Sequence, residues 1–273
     1  MAGYIAAVAQ FGATENREEN LRKAEELIRE AAGLGAALVA LPESAAYVGP
    51  DASDAAAEPL DGPYCAKMSG LASELGIWLY AGSFAERNGT KKPYNTAPLF
   101  GPDGRLRAAY RKLHMFDVDV ADGPAYKESA KKTPGSEIVV ADTPLGKLGL
   151  SVCYDLRFPE MFRAMALRGT LAFLCGACFM AQTGKDHWEP LLRARAIENG
   201  CYMIASGQIG KNYAYRSYGK SMIVDPWGDV IACCGEHEGV ASARIDPAYA
   251  EKVRRQVPSL KNRRSDVYGD PGR

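Results

Sequence analysis

Cys153 lies in the segment Gly146-Lys-Leu-Gly-Leu-Ser-Val-Cys153-Tyr-Asp-Leu-Arg-Phe-Pro159-Glu160, where its neighbours give it the makings of a nucleophile. The apolar run Leu148 to Val152 reads as a buried strand that ends at the thiol. Pro159 suits the first position of a helix that runs to about Arg168, carries Phe162, Met165 and Ala166 on one side and stops at Gly169. A sulfur between a strand end and a helix N-terminus feels the positive end of the helix dipole, which favours the reactive thiolate. The competing reading is a small buried apolar side chain, the usual fate of an unpaired cysteine.

A free thiol has a pKa of about 8.5, so a base or a cation must assist it at neutral pH. The chain has three histidines. His237 lies in the charged turn Gly235-Glu-His-Glu-Gly239, His187 begins a helix beside Trp188, and His114 stands close to Lys112. None of them gives positive support to a Cys–His pair. Glu43, in Leu41-Pro42-Glu43-Ser44, directly follows a strand, and Lys112 closes another with Arg111 beside it. Taken singly, Glu43 reads as a turn acid and Lys112 as half of a solvated basic pair. Together, three strand ends bringing a base, a cation and a thiol to one rim form the arrangement that attack on an amide demands.

The elements that must position them alternate along the chain. Tyr4 to Ala9 reads as a strand, and Asn16 opens a helix, with Glu19 completing a capping pattern and Leu21, Ala24, Ile28 and Ala31 as its inward stripe. Strand Ala36 to Leu41, helix Tyr64 to Leu75 and strand Ile77 to Gly82 repeat the unit. Hairpins follow at Asn95 to Phe100 with Leu106 to Tyr110, and at Ile138 to Ala141 with Leu148 to Val152. Leu171 to Leu174, a helix from about Asp186 to Asn199, Tyr202 to Ala205, Ser221 to Val224 and Val230 to Cys233 continue the pattern. It predicts an α/β fold with two mixed sheets packed together and layered with helices, in one domain. Two connections are too long to be joints: Lys112 to Glu137, punctuated by Gly123-Pro124 and Pro134-Gly135, and Cys178 to Asp186. Both follow strand ends, where open α/β sheets place their ligands.

The 273 residues suffice for a large core, and 33 basic residues balance 33 acidic ones, so nothing attracts nucleic acid or an anionic membrane. The N-terminus lacks the pattern of a signal peptide and no apolar stretch reaches membrane-spanning length. Seven cysteines without regular spacing argue for reduced thiols, so the expected protein is soluble and cytoplasmic. No His-Glu-x-x-His, spaced His/Cys cluster or Gly-rich phosphate loop is present, so neither metal nor cofactor is expected.

The motifs Leu-Pro-Glu43, Tyr-Arg-Lys112-Leu-His-Met-Phe-Asp and Ser-Val-Cys153-Tyr-Asp-Leu-Arg-Phe-Pro-Glu, in this order and spacing, resemble the nitrilase superfamily of carbon–nitrogen hydrolases. The likeness runs from about Tyr4 to Tyr249 and takes in Thr183-Gly-Lys-Asp-His-Trp-Glu189 and Leu192-Arg-Ala-Arg-Ala-Ile-Glu-Asn199. The Cys-Tyr-Asp-Leu-Arg-Phe-Pro-Glu form looks like the Nit branch, which includes ω-amidases and the amidase acting on deaminated glutathione. True nitrilases and carbamoylases usually follow the cysteine with other residues.

The resemblance implies a four-layer α-β-β-α sandwich that assembles into homodimers or larger homo-oligomers. It also implies a hydrolase domain over residues 1–249 and a C-terminal arm, 250–273, packing on a partner subunit. The family triad maps onto Glu43, Lys112 and Cys153, and a second family glutamate onto Glu128. The implied chemistry is thiol-dependent hydrolysis of a small carboxylate-bearing amide, releasing ammonia through a thioester, with the backbone N–H of Tyr154 helping Lys112 hold the oxyanion. Arg157 either grips the substrate carboxylate, as in carbamoylase relatives, or pairs with Asp155 or Glu160. Phe116, Tyr126 and Phe179 are expected as pocket walls, with Lys127 and Lys185 available for a second acid group. The alternatives are an N-carbamoyl amino acid amidohydrolase or nitrilase and, from another class, a thiol-redox protein using the Cys175-Gly-Ala-Cys178 pair. Against the redox reading, Phe179 to Gln182 carries no helix signal.

Overall fold

The computed structural model describes residues 2–50, 53, 56–119 and 126–270. A seven-stranded sheet runs in the spatial order Gly239–Ile245, Tyr4–Gln10, Ala36–Ala40, Trp78–Tyr80, Tyr94–Phe100 and Phe84–Glu86, with Leu106–Arg111 also paired to Tyr94–Phe100. A six-stranded sheet runs Val230–Cys233, Met222–Val224, Tyr202–Gly207, Ala172–Ala177, Leu148–Val152 and Val140–Ala141. Both are mixed. The central strands pair in parallel, as their long helical crossovers allow, and the outer strands pair antiparallel.

Alternation along the strands sorts side chains between two cores. Ala6, Val8, Leu38 and Ala40 face inward and pack with Leu148, Leu150, Val152, Leu174 and Ile204 of the other sheet. Their neighbours Ala7, Ala9, Val39 and Leu41 face outward, against Ala24, Ile28, Met68 and Leu71 of the helices Arg17–Gly33 and Pro63–Leu75. Helices Pro159–Leu167 and Ala181–Asn199 cover the second sheet through Phe162, Met165, Trp188 and Leu192. The result is the expected α-β-β-α sandwich, built by the period of two in each strand and one apolar stripe per helix.

The Asn16 cap is present, its side chain accepting from the Glu19 amide at 3.1 Å. Several elements differ from those the sequence predicts. The helix expected from Asp186 begins at Ala181, so most of the supposed second loop is helical and the argument that no helix follows Cys178 fails. The long connection after Lys112 is not structureless: Asp117–Val118 pairs with Tyr126–Lys127, and a 3-10 turn, Glu128–Ala130, follows. Gly123-Pro124 lies outside the described residues. The strand Gly239–Ile245, which the sequence does not announce, pairs with Tyr4–Gln10 along its whole length. Helix Pro247–Gln256 spans the boundary expected at 249/250 and buries Ala250 and Val253.

Candidate active site

Glu43, Lys112 and Cys153 stand at three strand ends, on Ala36–Ala40, Leu106–Arg111 and Leu148–Val152, and the strand order brings them to one rim. Local backbone does the rest. The chain leaves its strand at Cys153 in a left-handed conformation, φ 50°, and Ser44 beside Glu43 has φ 56°. Such conformations cost a non-glycine residue about 1–3 kcal/mol and persist where the surroundings over-determine them. Two glycines let the Glu43 turn sit where it does. A Cβ at Gly82, φ 61°, would run into the Pro42 carbonyl oxygen, and one at Gly176 would lie 3.0 Å from the Glu43 nitrogen.

The polar groups form one enclosed network. Lys112 is 2 % exposed, Glu43 5 %, Glu128 6 % and Cys153 7 %. The Lys112 ammonium donates to Glu43 Oε1 at 3.0 Å and to Glu128 Oε2 at 2.8 Å. Asn95 Nδ2 donates to Glu43 Oε1 at 2.9 Å, and the Cys178 amide holds Glu43 Oε2 at 2.8 Å. The Phe116 amide donates to Glu128 Oε2 at 2.7 Å. Burial lowers the Lys112 pKa, but the charges of Glu128 and Glu43 outweigh it and hold the pKa well above the ordinary lysine range. An ammonium so held is a permanent positive charge.

Burial pushes the Cys153 thiol well above its usual range. The charge of Glu43 and a hydrogen bond to it push the same way, and Lys112 opposes them. The thiolate expected from the helix dipole is therefore not the resting form. A 3-10 turn, Cys153–Arg157, separates the sulfur from the helix that starts at Pro159, and enclosure decides the balance. A neutral thiol that shares a cavity with a carboxylate and a charged ammonium can be activated by proton transfer to that carboxylate.

Two recesses meet at Cys153. The wider, a cavity of about 130 Å³, is lined by Glu43, Lys112 and Glu128, with Phe116, Tyr126 and Lys132 on its walls. The narrower is lined by Phe116, Tyr154, Arg157, Phe179 and Thr183. The predicted walls Phe116, Tyr126 and Phe179 are thus brought to the sulfur, as are Tyr154 and Arg157. Arg157 pairs with neither expected acid: its Nη1 is 3.3 Å from His187 Nδ1, and its guanidinium carbon lies 5.2 Å from the Phe179 ring centre. Lys127 is exposed and lines neither recess, and Lys185 is exposed and paired with Asp186. Besides Lys112, the lysines of the wide recess are Lys131 and Lys132.

Sequence reasoning also passed over Asn95, which shares a strand face with buried Ala97 and Leu99. A polar residue on an apolar face was the signal for it. Cys175 and Cys178 are both free and buried. Cys175 lies within the strand Ala172–Ala177, whereas Cys178 lines the cavity and takes a hydrogen bond from Asn212 at 3.2 Å. Among the described residues no group of His, Cys, Asp and Glu could hold a metal ion.

Asp155, fully buried under the site, accepts from Tyr110 Oη at 2.7 Å and the Val152 amide at 2.8 Å, and its Oδ1 lies 2.7 Å from His114 Nδ1. His114 is thereby structural, stacked on Phe158. We expect Asp155→Ala to destabilise the fold by about 3 kcal/mol, because it orphans buried donors. Urea unfolding checks this, and a loss below about 1 kcal/mol would contradict it.

Residues 5–255 match the carbon–nitrogen hydrolase family. The chain is 42 % identical over 276 residues to the deaminated glutathione amidase of Homo sapiens, covering 98 % of this chain and 84 % of that one. It is 40 % identical over 271 residues to the omega-amidase NIT2 of Xenopus tropicalis, covering 98 % of each. Among solved structures it resembles Saccharomyces cerevisiae Nit3, a member of branch 10 of the nitrilase superfamily, with a TM-score of 0.86, 32 % identity and 96 % and 97 % of the two chains covered. The chain belongs to the Nit branch of the carbon–nitrogen hydrolases of the nitrilase superfamily, and it is a hydrolase of amides.

Proposed function

We propose that this hydrolase cleaves small carboxylate-bearing amides through a Cys153 thioester, with deaminated glutathione or the ω-amide of a keto acid as substrate. The observation that carries the reading is that the buried Glu43 carboxylate, 3.0 Å from the Lys112 ammonium, lines the same cavity as Cys153. Glu43 takes the thiol proton as sulfur attacks the amide carbon. Lys112 and the Tyr154 N–H hold the developing oxyanion, where preset donors in a dry site contribute most. Glu43 passes its proton to the departing nitrogen, leaving the acyl thioester, and then deprotonates the water that releases the acid. Glu128 keeps Lys112 in place and charged. A primary amide yields ammonia. Deaminated glutathione, whose scissile nitrogen belongs to a peptide, yields an amine.

Arg157 suits the acyl carboxylate: it lies on the turn that carries Cys153, and a guanidinium fork matches that group. Arg157→Lys is expected to raise KM for carboxylate-bearing amides about tenfold or more while changing kcat little. Steady-state kinetics on α-ketoglutaramate tests this, and an unchanged KM would sink the assignment. For the organisation of the molecule we infer a cytoplasmic homodimer or larger homo-oligomer, with residues 250–273 as an arm on the partner. The exposed apolar side chains of Ile197, Trp227 and Ile231, and of Val267 and Tyr268 near the C-terminus, support this. Light scattering that returns the monomer mass would overturn it.

The substrate reading is tested by a panel of α-ketoglutaramate, deaminated glutathione, N-carbamoyl amino acids and simple nitriles, followed by the acid released rather than by ammonia alone. The two amides are expected to turn over fastest. A clear preference for nitriles or carbamoyl compounds would replace the amidase reading.

A further inference from the structure

We propose that Lys132 selects amides whose departing amine carries a carboxylate, an inference that rests on the amidase reading above. The two recesses at Cys153 differ in chemistry. Glu43 lines only the wide one and Arg157 only the narrow one. The acid that protonates the leaving nitrogen must face it, so a substituent on nitrogen extends into the wide recess that Glu43 lines. That recess has room beyond ammonia, at about 130 Å³.

Its cations are not equivalent. Lys112 is committed to Glu43 and Glu128, and Arg17 Nη1 to Glu58 at 2.9 Å. The exposed Lys131 ammonium sits 5.9 Å from the Tyr126 ring centre. Lys132 is half-buried, and its ammonium has no ion-pair partner among the described residues. Its backbone is fixed, the amide donating to the Glu128 carbonyl at 2.9 Å and the next amide to the Pro93 carbonyl at 3.0 Å. A cation held in a cavity wall without an ion-pair partner of its own can gain from an anion that the ligand brings. Burial lowers the Lys132 pKa to about 8; Glu128 and Glu43 act against that fall, while Lys112 and Lys131 add to it. The ammonium is therefore charged below about pH 8, and its hold on an anion fades as pH rises through that value.

The test compares two nearly isosteric N-substituted amides of 2-oxoglutarate, made at its 5-carboxyl with glycine and with glycinamide, alongside unsubstituted α-ketoglutaramate. The wild-type enzyme should favour the glycine amide in kcat/KM, and that preference should shrink above pH 8. Lys132→Met should lower the glycine-to-glycinamide ratio about tenfold or more, Lys132→Arg should keep it, and Lys132→Glu should invert it. A purely structural role for Lys132 would change both substrates alike. An unchanged ratio in Lys132→Met overturns the proposal. So does a wild-type enzyme that cleaves α-ketoglutaramate but neither N-substituted amide. Inactivity on all three compounds would overturn the amidase reading, and this inference with it.

Discussion

Cys153→Ala is expected to abolish amide hydrolysis, lowering turnover by about 10⁴-fold or more, while leaving the protein folded. Removing the sulfur removes the atom that forms the thioester. Glu43, Lys112 and Glu128 would remain in their network, since the Lys112 contacts to both carboxylates do not involve the thiol. Alanine is accommodated at φ 50° no worse than cysteine. Circular dichroism and thermal melting should therefore match the wild type. Activity above about one per cent of wild type in the pure variant would contradict covalent catalysis at this residue.

Lys112→Met carries the second large effect, on stability and activity together. The ammonium is the only cation in direct contact with both buried carboxylates among the described residues. Without it Glu43 and Glu128 face each other unpaired, and breaking such a buried pair costs about 3–5 kcal/mol. The oxyanion also loses its charged donor, a further loss of about 10²–10³ in kcat. The two effects can be separated. Adding Glu128→Gln removes one uncompensated charge, so Lys112→Met/Glu128→Gln should recover part of the stability and none of the activity. A single Lys112→Met variant that melts with the wild type would show that the carboxylates are stabilised by something other than this lysine.

Much of this site was legible because its parts are local. A buried strand, a cysteine and a proline-started helix lie in consecutive residues, and the Asn16 cap is complete within one turn. The three strand ends followed from the alternation of elements. What was missed depends on partners distant in sequence. The first turns of the helix Ala181–Asn199 contain Gly184 and have no side-chain cap at Met180. They pack on the strand Arg216–Tyr218, and Gly184, where a Cβ would strike the Tyr218 side chain, permits that close approach. Strand Gly239–Ile245 has a graded, half-buried pattern that only its pairing with Tyr4–Gln10 makes a strand. The protonation of Cys153 depends on distant residues in the same way: burial raises its pKa, and the charge of Glu43, far away in the chain, adds to the rise. Lys127 and Lys132 could not be told apart by sequence, because the Glu128–Ala130 turn between them decides which one faces the cavity.

The most direct test is to trap the acyl-enzyme. Wild-type protein mixed with excess α-ketoglutaramate, quenched in acid within the first turnovers and digested, should show the peptide containing Cys153 heavier by one acyl group, with the label removed by hydroxylamine. Turnover at full rate with that peptide unmodified, or with the acyl group on another residue, would contradict the account.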